Sequence, residues 1–193
     1  MKQKIRGNVC VFCASSANID AQYLEVARHL GRLLAEAGWR CLNGGGAVGL
    51  MGALTDGVLD AGGDVTGVIP KFMVDNGWCY DRLEDVIVTA DMHQRKRMMS
   101  DMADAVIALP GGVGTMEELL ETLTWRQLGI VTKPVIILNT LDFYAPLLQM
   151  LTHAIDEGFM KRSHKRLWTV ASTPEEAVAA LNDTAQIEIE SKY

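Results

Sequence analysis

The residue pattern predicts an α/β fold: a doubly wound, mainly parallel sheet with helices on both faces. Three observations carry that reading. Seven short apolar runs of strand length recur along the 193 residues. Most are separated by segments with helical spacing, as parallel neighbours require. Glycine or small polar turns follow three of the runs, at Ser15-Ser16, Gly44-Gly45-Gly46 and Gly111-Gly112. In such sheets ligands bind beyond the carboxyl ends of the strands.

Asn8 to Cys13 reads as a buried strand ending in Ala14-Ser15-Ser16. Asp20 starts a helical pattern in which Tyr23, Ala27, Leu30, Leu34 and Ala37 recur at spacings of three and four, and Gly38 ends it. A second strand, Trp39 to Leu42, runs into Asn43 and the glycine triplet; a helix from about Leu50 to Ala61 follows, stopped by Gly62-Gly63. Asp64 to Ile69 is a third strand, closed by Pro70. Lys71 to Asp81 shows no period, carries Trp78 and Tyr80, and reads as a loop over the site. Val86 to Val88 is the fourth strand and Asp91 to Ala103 the third helix. The fifth strand is Ala105 to Leu109, followed by a helix from Thr115 to about Leu128. Pro134 to Leu138 is the next strand, backed by a helix from Tyr144 to Glu157. Leu167 to Val170 is the last strand. Thr173-Pro174-Glu175 opens a final helix with proline in its first turn.

A chain of this length fits one domain over residues 1–193, and the polar segment 183–193 is expected to be a loosely held tail. A hydrophobic fraction of 49% with 22% charged residues describes an ordinary globular protein. The net charge of −6 argues against general affinity for nucleic acid or an anionic membrane, so an anionic ligand must be drawn in by a local site. No run approaches membrane-spanning length, and MKQKIRGN lacks the apolar core of a signal peptide; a cytoplasmic location is expected. Cys10, Cys13, Cys41 and Cys79 fit that compartment as free thiols. Cys10 and Cys13 form a C-x-x-C inside a strand, where they point to opposite faces and pack in the core. The four histidines show no paired spacing, so no metal site is expected.

The chemistry centres on DAVIALPGGVGTMEE, Asp104 to Glu118. A strand, a turn with three glycines in four residues and a helix start present backbone N–H groups at the positive end of a helix dipole. That is a seat for phosphate. No Gly-Lys-Ser/Thr follows, so it is not a Walker loop. Gly44, Gly46 and Gly49 match G-x-G-x-x-G, but after the second strand, and the next strand ends in Ile69-Pro70 without the acid that NAD binding needs. Ser15 and Ser16, Gly45 and Gly46, and the turn at Gly111 converge from three strands on one crevice.

Thr115 and Glu118 fit a capping box, T-x-x-E. Helix phase offers the alternative that Glu118 faces the crevice, with Met116, Leu119, Leu120 and Leu123 forming the buried face. On the third helix Met92, Met98, Met99 and Met102 fall on one stripe with Arg95 at its centre, while Arg97 points away and Lys96 lies at the edge. A guanidinium on an apolar face needs a partner. It is either a salt bridge to some other acid or a fixed cation facing Glu118 or an anionic ligand.

These residues resemble a known family. Met92-His93-Gln94-Arg95-Lys96 with Pro110-Gly111-Gly112-Val113-Gly114-Thr115-Met116-Glu117-Glu118 looks like the paired signature M-x-x-R-K and P-G-G-x-G-T-x-x-E of the LONELY GUY (LOG) family, whose members are often labelled lysine decarboxylases. Gly49-Leu50-Met51-Gly52, Gly67-Val68-Ile69-Pro70, Trp125 with Gln127-Leu128-Gly129, and Lys133-Pro134-Val135 continue the likeness from about Val9 to Asn182. The resemblance implies a Rossmann-like homodimer that hydrolyses the N-glycosidic bond of a nucleoside 5′-monophosphate, a cytokinin riboside monophosphate or AMP, to free base and ribose 5-phosphate. It implies no cofactor. Arg95 and Glu118 would be the catalytic pair. Lys96 and Gly112, Val113, Gly114 and Thr115 would hold phosphate and ribose, with Gly111, Glu117, Met92, Ser15, Ser16, Gly45 and Gly46 completing the substrate contacts. The Met-rich third helix is a candidate dimer face, with core packing as the alternative.

Two positions depart from the family pattern. Val113 stands where relatives usually carry an aromatic residue, and the segment from Phe72 to Trp78 lacks a glutamate that relatives often place after Ile-Pro. Trp78 or Tyr80 is the candidate to stack on the base instead. Two rival functions stay open. A pyridoxal-phosphate decarboxylase would need a Schiff-base lysine, and none of Lys71, Lys96, Lys133 or Lys161 has a context marking it as one. A nucleotide or molybdenum-cofactor carrier would need the phosphate cradle but no carboxylate at the sugar.

Overall fold

The structure, a computed structural model, describes residues 5–182; the expected tail lies outside them. Seven strands form the sheet: β1 (Gly7–Phe12), β2 (Trp39–Asn43), β3 (Val65–Pro70), β4 (Asp85–Thr89), β5 (Ala105–Ala108), β6 (Val135–Leu138) and β7 (Thr169–Ala171). Their order is β4-β3-β2-β1-β5-β6-β7, and every neighbouring pair is parallel. The winding reverses at β1, whose neighbours are β2 and β5. A crevice must open there, because the chain leaves the two strands in opposite directions.

The helices are α1 (Ala21–Glu36), α2 (Gly49–Asp60), α3 (Lys71–Asp75), α4 (Met92–Met102), α5 (Val113–Gln127), α6 (Ala145–Asp156) and α7 (Pro174–Asn182). Strand side chains alternate between two cores, as the period of two requires. Val9, Val11, Cys13, Cys41 and Ile107 pack with Ala27, Leu30 and Leu34 of α1, Leu54 and Val58 of α2, and Ala177 of α7. Cys10, Phe12, Leu42, Val106 and Ile137 face the other way, onto Met99 of α4, Leu119 and Leu123 of α5, and Tyr144. Cys10 and Cys13 thus lie on opposite faces, and burial pushes both thiols well above their ordinary range. Among the described residues no helix is long and apolar enough to cross a membrane.

Three expectations shift. Lys71 to Asp75 is a one-turn helix, capped by Pro70, where the sequence reads as loop. The last strand begins at Thr169, because Arg162–Leu167 is a 3-10 helix that carries Leu167. The helix after β5 begins at Val113, two residues before Thr115, and its N-cap is Gly112 with no side-chain bond. Thr115 is therefore inside the first turn, and the capping box does not form.

Candidate active site

The strand ends at the reversal are stitched by main-chain bonds. Leu109 N–H donates to Phe12 C=O (2.9 Å), Ala14 N–H to Pro110 C=O (3.3 Å), and Met51 N–H to Ala14 C=O (3.2 Å). The buried Tyr144 hydroxyl donates to Leu109 C=O at 2.7 Å, fixing the start of the Pro-Gly-Gly turn from the α6 side. In the turn after β2, the buried Asn43 donates through Nδ2 to Thr55 Oγ1 and accepts from Gly45 N–H, both at 2.9 Å. These segments enclose a crevice of about 690 Å³.

The floor at the β5 end is the start of α5. Its first internal bond runs from Met116 N–H to Gly112 C=O (3.0 Å). The amides of Val113, Gly114 and Thr115 therefore have no partner within the helix, and the dipole adds a positive end. Gly111 is packed against the Thr115 side chain so closely that a Cβ would overlap it. The tight turn brings the main chain to the crevice edge, where an anion can reach it.

Arg95 and Glu118 meet beside this cradle. Arg95, on α4, is buried; its Nε donates to Val68 C=O at 2.9 Å, and Nη1 lies 3.7 Å from Met92 Sδ and 3.9 Å from Glu118 Oε1. Of the alternatives the sequence leaves open, the guanidinium faces Glu118 and not some other acid. Its side chain is 12% exposed, and among the described residues its carboxylate makes no hydrogen bond shorter than that ion pair. Burial raises the Glu118 carboxyl above its ordinary value; Arg95 opposes the shift, Glu117 and Glu121 add to it, and Lys96 works with Arg95. A desolvated carboxylate held by one cation at a loose distance has lone pairs free for a ligand.

The buried face of α5 differs from the expected one. Thr115, Leu119, Thr122, Leu123 and Arg126 are buried, Leu120 is exposed, and Met116 is intermediate. Glu118 lies at the edge of the buried face, and so enters the crevice with most of its surface covered. On α4, Met99 is buried in the core and Met98 and Met102 pack against it, so these three of the four stripe methionines are core packing, while Met92 lies at the crevice.

Ser15, Ser16, Gly46, Met92, Gly112, Gly114, Thr115 and Glu117 line the crevice with Arg95 and Glu118. Gly45 is buried beneath it, bonded to Asn43 and, through its C=O, to Tyr80 N–H (2.9 Å). Gly111 is buried behind Thr115, and Val113 is 81% exposed on the outer side of α5. Lys96 stands outside the lining: its Nζ bridges Glu117 (2.5 Å) and Glu121 (3.1 Å) and so ties α4 to α5. Of the two aromatic candidates, Trp78 lines the crevice, whereas the Tyr80 hydroxyl donates to the Asp56 carboxylate on α2. Sequence reasoning missed the apolar lining of Val48, Met51, Ile69 and Met73, whose contribution depends on the positions of α2 and α3.

A helix start with unpartnered amides at the switch point of a parallel sheet, with a guanidinium and a carboxylate beside it, belongs to a Rossmann-like protein with a crevice beyond its strand ends. A family model described as "possible lysine decarboxylase" matches residues 51–181. The cytokinin riboside 5′-monophosphate phosphoribohydrolase LOG7 of Arabidopsis thaliana is 45% identical over 175 residues, covering 91% of this chain and 81% of its own. The enzyme of the same name from Rhodococcoides fascians is 42% identical, covering 90% of this chain and 88% of its own. This chain belongs to the LOG family. Among solved structures, the molybdenum cofactor carrier protein of Chlamydomonas reinhardtii superposes with a TM-score of 0.71 at 26% identity, over 93% of this chain and 97% of its own.

Proposed function

We propose that this protein hydrolyses the N-glycosidic bond of a nucleoside 5′-monophosphate, a cytokinin riboside 5′-monophosphate or AMP, to free base and ribose 5-phosphate. The observation that carries the reading is the Arg95–Glu118 pair, 3.9 Å apart at the crevice beside the open start of α5. The phosphate sits on the amides of Gly112 to Thr115, and its binding energy positions the sugar. As the C1′–N bond breaks, its electron pair leaves with the base, which takes up a proton from solvent, and positive charge grows on the ribose ring. Glu118 stabilises that oxocarbenium-like state and grips the sugar hydroxyls. A water oxygen then bonds C1′, and its proton is accepted by a carboxylate whose affinity for protons burial has raised. Arg95 holds Glu118 in place and offsets phosphate charge.

Two other readings are weaker. The residues do not fit pyridoxal phosphate: among the described residues no lysine lines the crevice, Lys71 pairs with Asp75, Lys96 with Glu117 and Glu121, and Lys133 Nζ donates to the carbonyls of Ser100 and Ala103. A carrier on this fold has no need of a desolvated acid beside the sugar, and the enzymes named above share far more of this sequence than the carrier does. The active unit is a homodimer. The support is the outer face of α5, where Val113, Leu120 and Leu128, followed by Ile130, are exposed on a helix whose other side is core.

Incubation with AMP, followed by chromatography for adenine and ribose 5-phosphate, tests the reaction directly. Stoichiometric release of both supports it. Binding of AMP with no release over long incubation would overturn it in favour of a carrier.

A further inference from the structure

The crevice is chemically lopsided. The start of α5 contributes backbone amides with Arg95 and Glu118 beside it, and the chain from Val48 to Trp78 contributes the apolar Val48, Ile69, Met73 and Trp78. A nucleoside monophosphate is polarised in the same way, with phosphate and ribose at one end and a flat π-faced base at the other. Trp78 is the only aromatic side chain among the described lining residues, and it is 54% exposed. Phe72 approaches it with ring centroids 6.5 Å apart and planes 79° apart, so no ring stacks face to face on the indole.

The segment that carries Trp78 is anchored on both sides. Trp78 N–H donates to Met73 C=O (3.0 Å), which ties it to α3. Beyond it, Gly46 and Cys79 form an antiparallel bridge and Tyr80 N–H donates to Gly45 C=O. The Tyr80 hydroxyl bonds Asp56, and Arg82 reaches Asp56 (2.7 Å) and Asp60 (2.8 Å), so α2 holds the far side. An exposed indole on a pinned segment offers a large rigid surface with little ordering cost on binding.

We propose that Trp78 is the specificity-determining residue of the base end: the leaving base packs on its indole and is chosen by stacking and apolar contact. The charged side chains among the described lining residues, Arg95, Glu117 and Glu118, belong to α4 and α5 and not to the segment that carries Trp78. Base selectivity is therefore shallow, since an apolar wall separates related ligands by about 10–200-fold, whereas a hydrogen-bonding site reaches about 10⁴ or more. The inference rests on the phosphoribohydrolase reading and names the part of the site that selects the base.

Trp78→Ala and Trp78→Phe test it, with AMP as substrate and ribose 5-phosphate, which has no base, as competing ligand. Trp78→Ala raises KM for AMP by about tenfold or more, leaves the inhibition constant of ribose 5-phosphate unchanged, and is largely rescued by Trp78→Phe. AMP quenches tryptophan emission in the unaltered protein, ribose 5-phosphate does not, and the quench disappears in Trp78→Phe. An unchanged KM in Trp78→Ala overturns the inference, as does an equal loss for ribose 5-phosphate or a quench that survives without the indole. An unaltered protein that releases no adenine, yet shows the Trp78-dependent quench, sinks the hydrolase and keeps the base wall. Full hydrolysis with no effect at Trp78 sinks only the wall.

Discussion

Gly44 lies against the guanidinium of Arg95, and a Cβ built on it would overlap Nη2. The glycine after β2, itself part of the crevice lining, leaves room for the cation of α4 to reach past the end of β2 toward Glu118. Gly44→Ala must displace Arg95, because the Val68 carbonyl behind it fixes Nε. The expected outcome is a fall in kcat for AMP of about 100-fold with a melting temperature close to that of the unaltered protein. Hydrolysis at the ordinary rate would show that Arg95 need not hold its position.

Glu118→Ala and Arg95→Ala are each expected to lower turnover by about 100-fold or more, on the order of 3 kcal/mol. The pair acts as a unit, so the double variant should lose little more than either single one. Steady-state kinetics on all three give the coupling. Losses that multiply would mean the two side chains serve separate steps.

The fold was legible because strands buried on both faces read as apolar runs, and these stand out even where their ends do not. The site was legible where motif residues lie in one segment, as in the Pro-Gly-Gly turn. The start of α5 was misplaced because Val113-Gly114 is a poor helix former in isolation, and Thr115-x-x-Glu118 imitates a cap. The apolar end of the crevice was hidden for a different reason. Met51 and Met73 come from helices on separate segments, and only the packing around β3 brings them to one wall. Arg95 was found from its position on a methionine stripe, but its partner lay on another helix and could not be chosen by periodicity.

The pH profile should carry the mark of Glu118. Its carboxyl is raised above the ordinary 4.5 by burial against the opposing charge of Arg95. If ionised Glu118 is the working form, kcat/KM falls on the acid side at a pH above the usual carboxylate range, and Glu118→Gln removes that limb from the residual rate. The stability sign is the reverse of a salt bridge: a raised acid disfavours folding once it is ionised. Glu118→Gln is therefore expected to melt higher than the unaltered protein near neutral pH, with the gain vanishing as the pH falls below 4.5. Asp56 runs the other way. Burial raises its carboxyl, but hydrogen bonds from Tyr80 and Arg28 outweigh that and hold it below 3.8. Its contribution is present above 3.8 and is lost as the pH falls through the lower folded value, so Asp56→Asn should flatten only that acid limb of a melting series.

Lys96 separates a phosphate contact from a brace between helices. Its Nζ sits between Glu117 and Glu121, outside the crevice lining. As a brace, Lys96→Ala loosens α4 against α5 and changes the inhibition constant of ribose 5-phosphate by no more than about fivefold, the scale of a partly exposed ion pair. Competition assays give the constant. A loss of about 100-fold would instead mean that the ammonium leaves its carboxylates to meet the phosphate.

The outer face of α5 supplies the test of assembly. Ile130 is 65% exposed, and Leu120 and Leu128 stand on the side of α5 turned away from the core. A charge placed there costs the folded monomer little, because the position already faces water, but it opposes burial against a second copy. Leu120→Asp with Ile130→Asp is expected to halve the mass found by sedimentation equilibrium while leaving the circular dichroism unchanged. The crevice begins on the same helix, at Gly112 and Gly114, so the monomer should also bind ribose 5-phosphate more weakly if the partner steadies that turn. A dimer that persists with both aspartates would move the interface to another face and leave the exposed apolar residues of α5 without a role in assembly.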